Sequence, residues 1–193
     1  MDLSQETDEN LMLRFGRGDS AAFEALYRRH ESRIFRYLYR NVRDEASAND
    51  LMQEVWYAVA RNAPRYQPTA KFSTWLFTLA HHRMVDMIRG IRPQQSLDAE
   101  NGEEGNGTTL HEHLAADRDR EPEVLAQAQD DAAALLNAVA ELPSEQRSAF
   151  LMQAEGELSV EEIAAATGTS FETVKSRLRY ARAKLRQLLW EYA

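Results

Sequence analysis

The chain has 193 residues, 44% of them hydrophobic, no cysteine, and a formal net charge of -8. That apolar share is ample for one or two packed domains, and the missing cysteine excludes a disulfide framework, a cysteine-based zinc site and a thiol nucleophile. No apolar run approaches membrane-spanning length, and the start, Met1-Asp-Leu-Ser-Gln-Glu6, lacks the basic and apolar parts of a signal peptide, so a cytoplasmic protein with no membrane insertion is expected.

The charge is unevenly placed. Residues 1–93 carry 14 basic and 12 acidic side chains, residues 94–131 carry 2 and 11, and residues 132–193 carry 7 and 8. Nearly all the net acidity is central, and the near-neutral flanks hold local basic faces. An acidic total therefore does not exclude a nucleic-acid partner.

After a short polar lead, Gly18 supplies a helix stop and Asp19 or Ser20 a fresh N-cap. Phe23, Leu26, Tyr27, His30, Ile34 and Leu38 then recur at helical spacing, giving one buried face and an arginine-rich remainder turned to water or a partner. His30 on the apolar stripe reads as a packed, hydrogen-bonded histidine. A second helix is predicted from about Glu45 to Asn62, with Ala48, Leu51, Met52, Val55 and Val59 inward. Its outer side carries Asp50, Gln53, Glu54, Tyr57 and Arg61. With no nucleophile or metal ligand beside them, the carboxylates read as a protein-docking or solvated face rather than an acid/base pair.

Pro64 to Lys71 breaks that helix and forms a loop with Tyr66 and two basic residues. A third helix, Phe72 to Arg89, places Phe72, Trp75, Leu76, Leu79, Met87 and Ile88 at core-like spacing. Aromatics beside Lys71, Arg83, Arg89 and Arg92 could stack on unpaired bases and hold phosphates, although most of them, Trp75 included, also suit a core. His81 and His82 are adjacent and point about 100° apart on a helix, which does not suit a shared metal.

From Pro93 to about Pro122 the composition turns to Gln, Asn, Gly, Glu and Asp, as in a flexible acidic linker. Asp98, Glu100 and Gly102 lack the ligand series of a calcium loop, and His111 and His113 have no partner ligands. No metal or cofactor is expected. The remainder is helical: Val124 to Leu142, a helix opened by Pro143 and running through Gln153, and a short helix started by the capping box Ser159-Val-Glu-Glu162. Gly168 supplies a turn, and Thr169 or Ser170 caps a last helix, with Glu172 placed to complete a second box.

That last helix is the most distinctive stretch. Thr173 to Gln187 holds Lys175, Arg177, Arg179, Arg182, Lys184 and Arg186 and no acidic residue. Val174, Leu178, Ala181, Leu185 and Leu188 form its buried stripe, and Lys175, Arg179, Arg182 and Arg186 a second, basic stripe. Like charges at this spacing repel, which suits a polyanionic partner, a solvated face being the alternative. Short helix, glycine turn and basic second helix is the helix-turn-helix arrangement.

Leu142-Pro-x-x-x-Arg147, Leu158-Ser-x-Glu-Glu-Ile-Ala164 and Thr173-Val-Lys-Ser-Arg-Leu-x-x-Ala-Arg182 resemble the C-terminal promoter-reading domain of bacterial extracytoplasmic-function sigma factors. Asp50-Leu-x-Gln-Glu54, Phe72-x-Thr-Trp-Leu-x-x-x-Ala80 and Asp86-x-x-Arg89 resemble that family's N-terminal domain. The resemblance implies an all-α fold of two small helical domains, residues 1–93 (region 2) and 132–193 (region 4, a helix-turn-helix), joined by the acidic linker 94–131. It implies a non-enzymatic factor that binds the β′ and β subunits of core RNA polymerase and promoter DNA, and an anti-sigma factor is an expected partner.

Carried over residue by residue, Asp50, Gln53, Glu54 and Tyr57 correspond to the segment that docks on core polymerase. Tyr66, Lys71, Trp75, His82, Arg83 and Arg89 fall in the part that opens the minus-ten element and captures a flipped base. Phe171, Glu172, Lys175, Ser176 and Arg179 occupy positions that read the minus-thirty-five element, and Arg177 and Arg182 suit phosphate contacts. The chain departs from the family at Tyr180, where an arginine is common, and at His82, where an asparagine is common. Two other classes compete: a one-component helix-turn-helix regulator of duplex operator DNA, which leaves the Asp50 stripe and the Trp75 segment unexplained, and a metal-dependent hydrolase using His81, His82, His111 and His113.

Overall fold

The computed structural model describes residues 3–95 and 122–190, and these are helical throughout apart from turns and short connections, with no strand among them. Most helix starts have a local cause. Helix α1 (Asp8–Phe15) begins where Thr7 Oγ1 accepts the Asn10 N–H, α2 (Ser20–Val42) where Asp19 accepts those of Ala21 and Ala22, and α3 (Glu45–Asn62) where Asp44 accepts that of Ser47. Each cap satisfies donors a helix start leaves open, a contribution of about 1 kcal/mol. A 3-10 turn, Ala63–Arg65, and a loop lead to α4 (Phe72–Gln95). The Phe72 N–H at its head is taken by Glu9 Oε1 from α1 at 2.7 Å, so α4 is capped by a distant helix rather than by a neighbour in sequence.

In the second half α5 (Pro122–Ala140) opens on a proline, α6 (Ser144–Gly156) follows Pro143, and α7 (Val160–Thr167) and α8 (Phe171–Trp190) complete the helix-turn-helix. The capping box at Ser159 and Glu162 forms in both directions. Gly168, at φ 63°, closes α7 in the left-handed conformation that glycine adopts without a Cβ penalty. The turn between the two helices of the motif therefore depends on that glycine.

Several expectations are corrected. The polar lead contains α1, whose Leu11 and Met12 are fully buried. Helix α4 continues past Arg89 to Gln95, and α5 begins two residues before Val124 and ends at Ala140 rather than Leu142. Pro143 precedes its helix in an extended conformation instead of occupying the first turn, and that helix runs on to Gly156. Ile88 is 36% exposed rather than in the core. Helix α8 is capped by Ser170, whose Oγ accepts the Thr173 N–H at 3.1 Å, so the third helical position is Thr173 and the box expected with Glu172 does not form. The segment holding Asp98, Glu100, Gly102, His111 and His113 lies outside the described residues.

The two halves share one continuous apolar core. In the first, Leu26, Ile34 and Leu38 of α2 meet Leu51, Val55 and Val59 of α3 and Phe72 and Leu76 of α4. In the second, Leu151, Met152, Ile163, Val174, Leu178 and Ala181 are buried around the motif. Phe77 of α4 joins them: it is fully buried, and a Cβ on Gly156 would stand 3.2 Å from its ring. Glycine at the end of α6 thus lets the two halves approach closely.

Candidate polymerase and nucleic-acid interfaces

Helix α3 turns Ala48, Leu51, Val55 and Val59 to the core, which places Asp50, Gln53, Glu54 and Tyr57 together on the outside. All four are exposed, Tyr57 to 72%, and none of their side chains hydrogen-bonds or pairs with another described residue. The result is an acidic strip with one aromatic ring, held on a rigid helix and free to be covered.

The loop and α4 give a different picture. Tyr66 is half-buried, with its ring edge-on to Phe72 and to Trp75 at centroid separations of 6.3 and 5.3 Å. Its hydroxyl is buried with no protein partner, and burial, with Glu9 and Asp8 nearby, pushes its pKa up to about 12. Trp75 is likewise packed against the core. Lys71 is exposed but lies 3.5 Å from Glu162 of α7. On α4, His82, Asp86 and Arg89 share one exposed face, with Arg83 beside it. The structure therefore separates the predicted set into a packed pair, Tyr66 and Trp75, and an open group on α4.

On α8 the buried stripe is Val174, Leu178, Ala181 and Leu185, with Leu188 partly buried. Phe171, Glu172, Lys175, Arg179 and Arg182 are exposed, and Lys175 sits 5.9 Å over the Phe171 ring. Arg179 lies 4.9 Å over the ring of Tyr180 and donates to its hydroxyl at 3.1 Å. The tyrosine at 180 thus orients the arginine before it. Ser176 is half-buried. Arg177 pairs with Glu145 at the start of α6, and Arg182 donates to Gln153.

Arg177 also faces α4. A cavity of about 590 Å³ lies between α4 and the motif, lined by His81, His82, Arg89, Glu145, Thr169 and Arg177 among others. His81, half-buried at its edge, has its pKa lowered to about 4 by burial first and then by the neighbouring His82 and Arg177. Among the described residues no three His, Asp or Glu side chains converge as metal ligands, and no helix is long and apolar enough to cross a membrane.

Residues 26–93 match the model of Sigma-70 region 2, and residues 132–185 that of Sigma-70, region 4. The RNA polymerase sigma factor CarQ of Myxococcus xanthus is 34% identical over 180 residues, covering 93% of this chain and 96% of that one. The chain belongs to the sigma-70 family, as an extracytoplasmic-function sigma factor.

A further relative of this sigma factor, the ECF RNA polymerase sigma factor RpoE of Cereibacter sphaeroides, is 30% identical over 191 residues and is covered to 97%, with 96% of this chain aligned. Among solved structures, the sigma factor RpoE in complex with the anti-sigma factor NepR from Bartonella quintana shares the fold at a TM-score of 0.69 and 18% identity, over 86% of this chain and 96% of that one. CnrH in complex with the cytosolic domain of CnrY matches at 0.65 and 22% identity, over 97% and 100%. This sigma factor is a non-enzymatic protein that directs transcription initiation.

Sequence reasoning missed the residues that join the halves of the sigma factor. Arg33, Arg36 and Arg40 surround Glu155, and Tyr37 meets Ser148 and His81. The arginine spacing on α2 was a visible signal, but its partner more than a hundred residues away was not.

Proposed function

We propose that this sigma factor works as a two-point promoter reader: residues 1–93 dock on core polymerase and open the minus-ten element, residues 132–193 read the minus-thirty-five element, and 94–131 tether them in the cytoplasm. The observation that carries the reading is the division of the exposed surface. One helix offers the acidic strip Asp50, Gln53, Glu54 and Tyr57, while a separate helix offers a capped, basic leading half at Phe171 to Arg179. A duplex-operator regulator has use for the second surface but not for the first.

Asp50, Gln53, Glu54 and Tyr57 bind the clamp helices of the β′ subunit. His82, Arg83, Arg89 and Lys71 hold the opened strand, and Tyr66 and Trp75 wall the pocket that receives an extruded base, whose stacking offsets an unpairing cost of a few kcal/mol. Phe171, Glu172, Lys175, Ser176 and Arg179 face base edges in the major groove. Arg177 and Arg182 take phosphates once released from Glu145 and Gln153. An anti-sigma factor regulates the chain, a reading supported by the likeness to the fold of RpoE solved with NepR.

The test is a pull-down of purified core polymerase with the doubly reversed variant Asp50→Lys, Glu54→Lys. Both side chains are exposed, so the fold should be retained while polymerase retention falls at least tenfold. Retention equal to the unaltered chain would overturn the docking assignment.

A further inference from the structure

The arginine stripe of α2 has a specific intramolecular partner. Arg33, Arg36 and Arg40 recur at helical spacing and repel one another on a bare surface. All three converge on the end of α6: Arg33 Nε donates to the Glu155 main-chain carbonyl at 2.6 Å, Arg36 Nε to Glu155 Oε2 at 2.9 Å, and Arg40 to Glu155 Oε1. Arg33 also pairs with Glu157 at 3.0 Å. Glu155 is only 8% exposed, a burial that a carboxylate tolerates when it is paired and hydrogen-bonded. Three further contacts cross the same boundary. Tyr37 meets Ser148 at 3.0 Å, Thr74 Oγ1 donates to Glu162 Oε1 at 2.8 Å, and Arg147 donates to the Asn41 carbonyl at 3.2 Å.

This closed arrangement does not fit simultaneous reading of both promoter elements. Their centres lie roughly 25 base pairs apart, which at about 3.4 Å per pair is about 85 Å. A compact chain of this length has a radius of gyration of about 16 Å, hence a diameter of roughly 40 Å. The residues between Gln95 and Pro122, extended at about 3.4 Å each, reach about 90 Å, so separated domains span the distance and closed ones do not. Closure also draws Lys71 onto Glu162 and sets Arg177 facing the α4 surface of His82 and Arg89, while the Asp50 to Tyr57 strip stays uncovered.

We infer that the sigma factor closes on itself without a second protein, that Glu155 in its arginine cradle is the latch, and that the closed chain presents its polymerase-docking strip while withholding joint promoter reading. Polymerase therefore engages the closed form, and separation of the domains follows. The consequence for promoters rests on the two-point reading proposed above; the latch itself does not.

The test uses the full chain, which has no native cysteine, labelled with spin pairs at Arg28→Cys and Ala183→Cys, both exposed and outside the assigned surfaces. Electron double resonance on the free protein should give one narrow, short distance. Glu155→Arg should replace it with a broad distribution extending to longer distances, and adding Arg36→Glu and Arg40→Glu should restore the narrow one, which shows that the reversed chain is folded and that the effect is ionic. A broad distribution in the unaltered chain, or a narrow one in Glu155→Arg, overturns the latch. The same proteins in transcription with core polymerase separate the two ideas. Glu155→Arg should initiate at least as well as the unaltered chain, whereas correct distances with no initiation by any form would leave the latch standing and remove the promoter reading.

Discussion

The Tyr37 hydroxyl on α2 lies 3.0 Å from the Ser148 hydroxyl on α6, and His81 Nδ1 on α4 completes the triangle at 3.1 and 3.3 Å. Tyr37 is fully buried, and burial raises its pKa above the ordinary tyrosine range, so it stays a neutral hydroxyl. Three elements from the two halves thus share one small polar network inside an apolar boundary.

Removing one corner should be costly because it leaves the others short of partners. Ser148→Ala is expected to lower stability by about 1–3 kcal/mol, measured by chemical denaturation. Tyr37→Phe should cost a similar amount, and the double variant less than the sum of the two, because both changes delete the same contact.

The network should also respond to acid. His81 is held neutral, with its pKa lowered to about 4 by burial and then by His82 and Arg177; separating the domains removes the cover of Ser148 and the charge of Arg177 and moves it back toward the ordinary histidine value of about 6.5. The open form therefore binds more protons between these values, and the closed form is lost as pH falls through that window and is unaffected above it. Tyr37 and Ser148 face the ring as neutral groups, and Glu145 is engaged by Arg177. Glu162 is lowered chiefly by the Ser159 N–H of its own helix, which persists when the domains part; only its smaller contributions from Thr74 and Lys71 across the boundary add a further loss at lower pH. Spin-pair distances followed from neutral to mildly acid pH should lengthen in the unaltered chain, and His81→Gln should remove the part nearer neutrality.

Gly16 is a steric rather than a conformational requirement. Its φ of -60° suits any residue, but a Cβ there would stand 2.4 Å from the Ala63 carbonyl oxygen. Gly16→Ala should cost about 1–3 kcal/mol by overpacking, read from the denaturation midpoint, and should loosen the turn that leads to Tyr66.

On the recognition helix, Arg179 and Arg182 should behave differently. Arg179→Ala is expected to relax preference at one upstream base pair by about 1–3 kcal/mol. Arg182→Ala should weaken binding evenly across sequences and lower the salt slope by about one. Affinities over a set of promoter variants at several salt concentrations separate the two.

Most of this fold was legible because its causes are local. The stripe Val174, Leu178, Ala181 and Leu185, the box at Ser159 and Glu162, and the turn at Gly168 each follow from spacing and cap chemistry within a few residues. Helix α1 was not, since it has only about two turns and its buried residues, Leu11 and Met12, are adjacent and show no helical period. Glu162 shows the limit best. Its box partner is three residues away and was readable, whereas its bond to Thr74 joins residues far apart in the chain. The sequence leaves the arginines of α2 as a face turned to water or to a partner, and only the packing of α6 on α2 identifies Glu155. Tyr66 in its loop and Trp75 on its helix are legible as aromatics; that they pack edge to face, with the Tyr66 hydroxyl buried and unpartnered, required the structure.

On the proposed reading, this sigma factor makes core polymerase initiate at a two-element promoter through the outer strip of α3, the open face of α4 and the leading half of α8. Reconstituted run-off transcription with purified core polymerase and fragments of the source genome tests it most directly. Open complexes and discrete transcripts that need both elements are expected, lost with Asp50→Lys, Glu54→Lys and retained with Glu155→Arg. No polymerase binding and no transcript from any fragment, with unaided binding to duplex DNA, would contradict it.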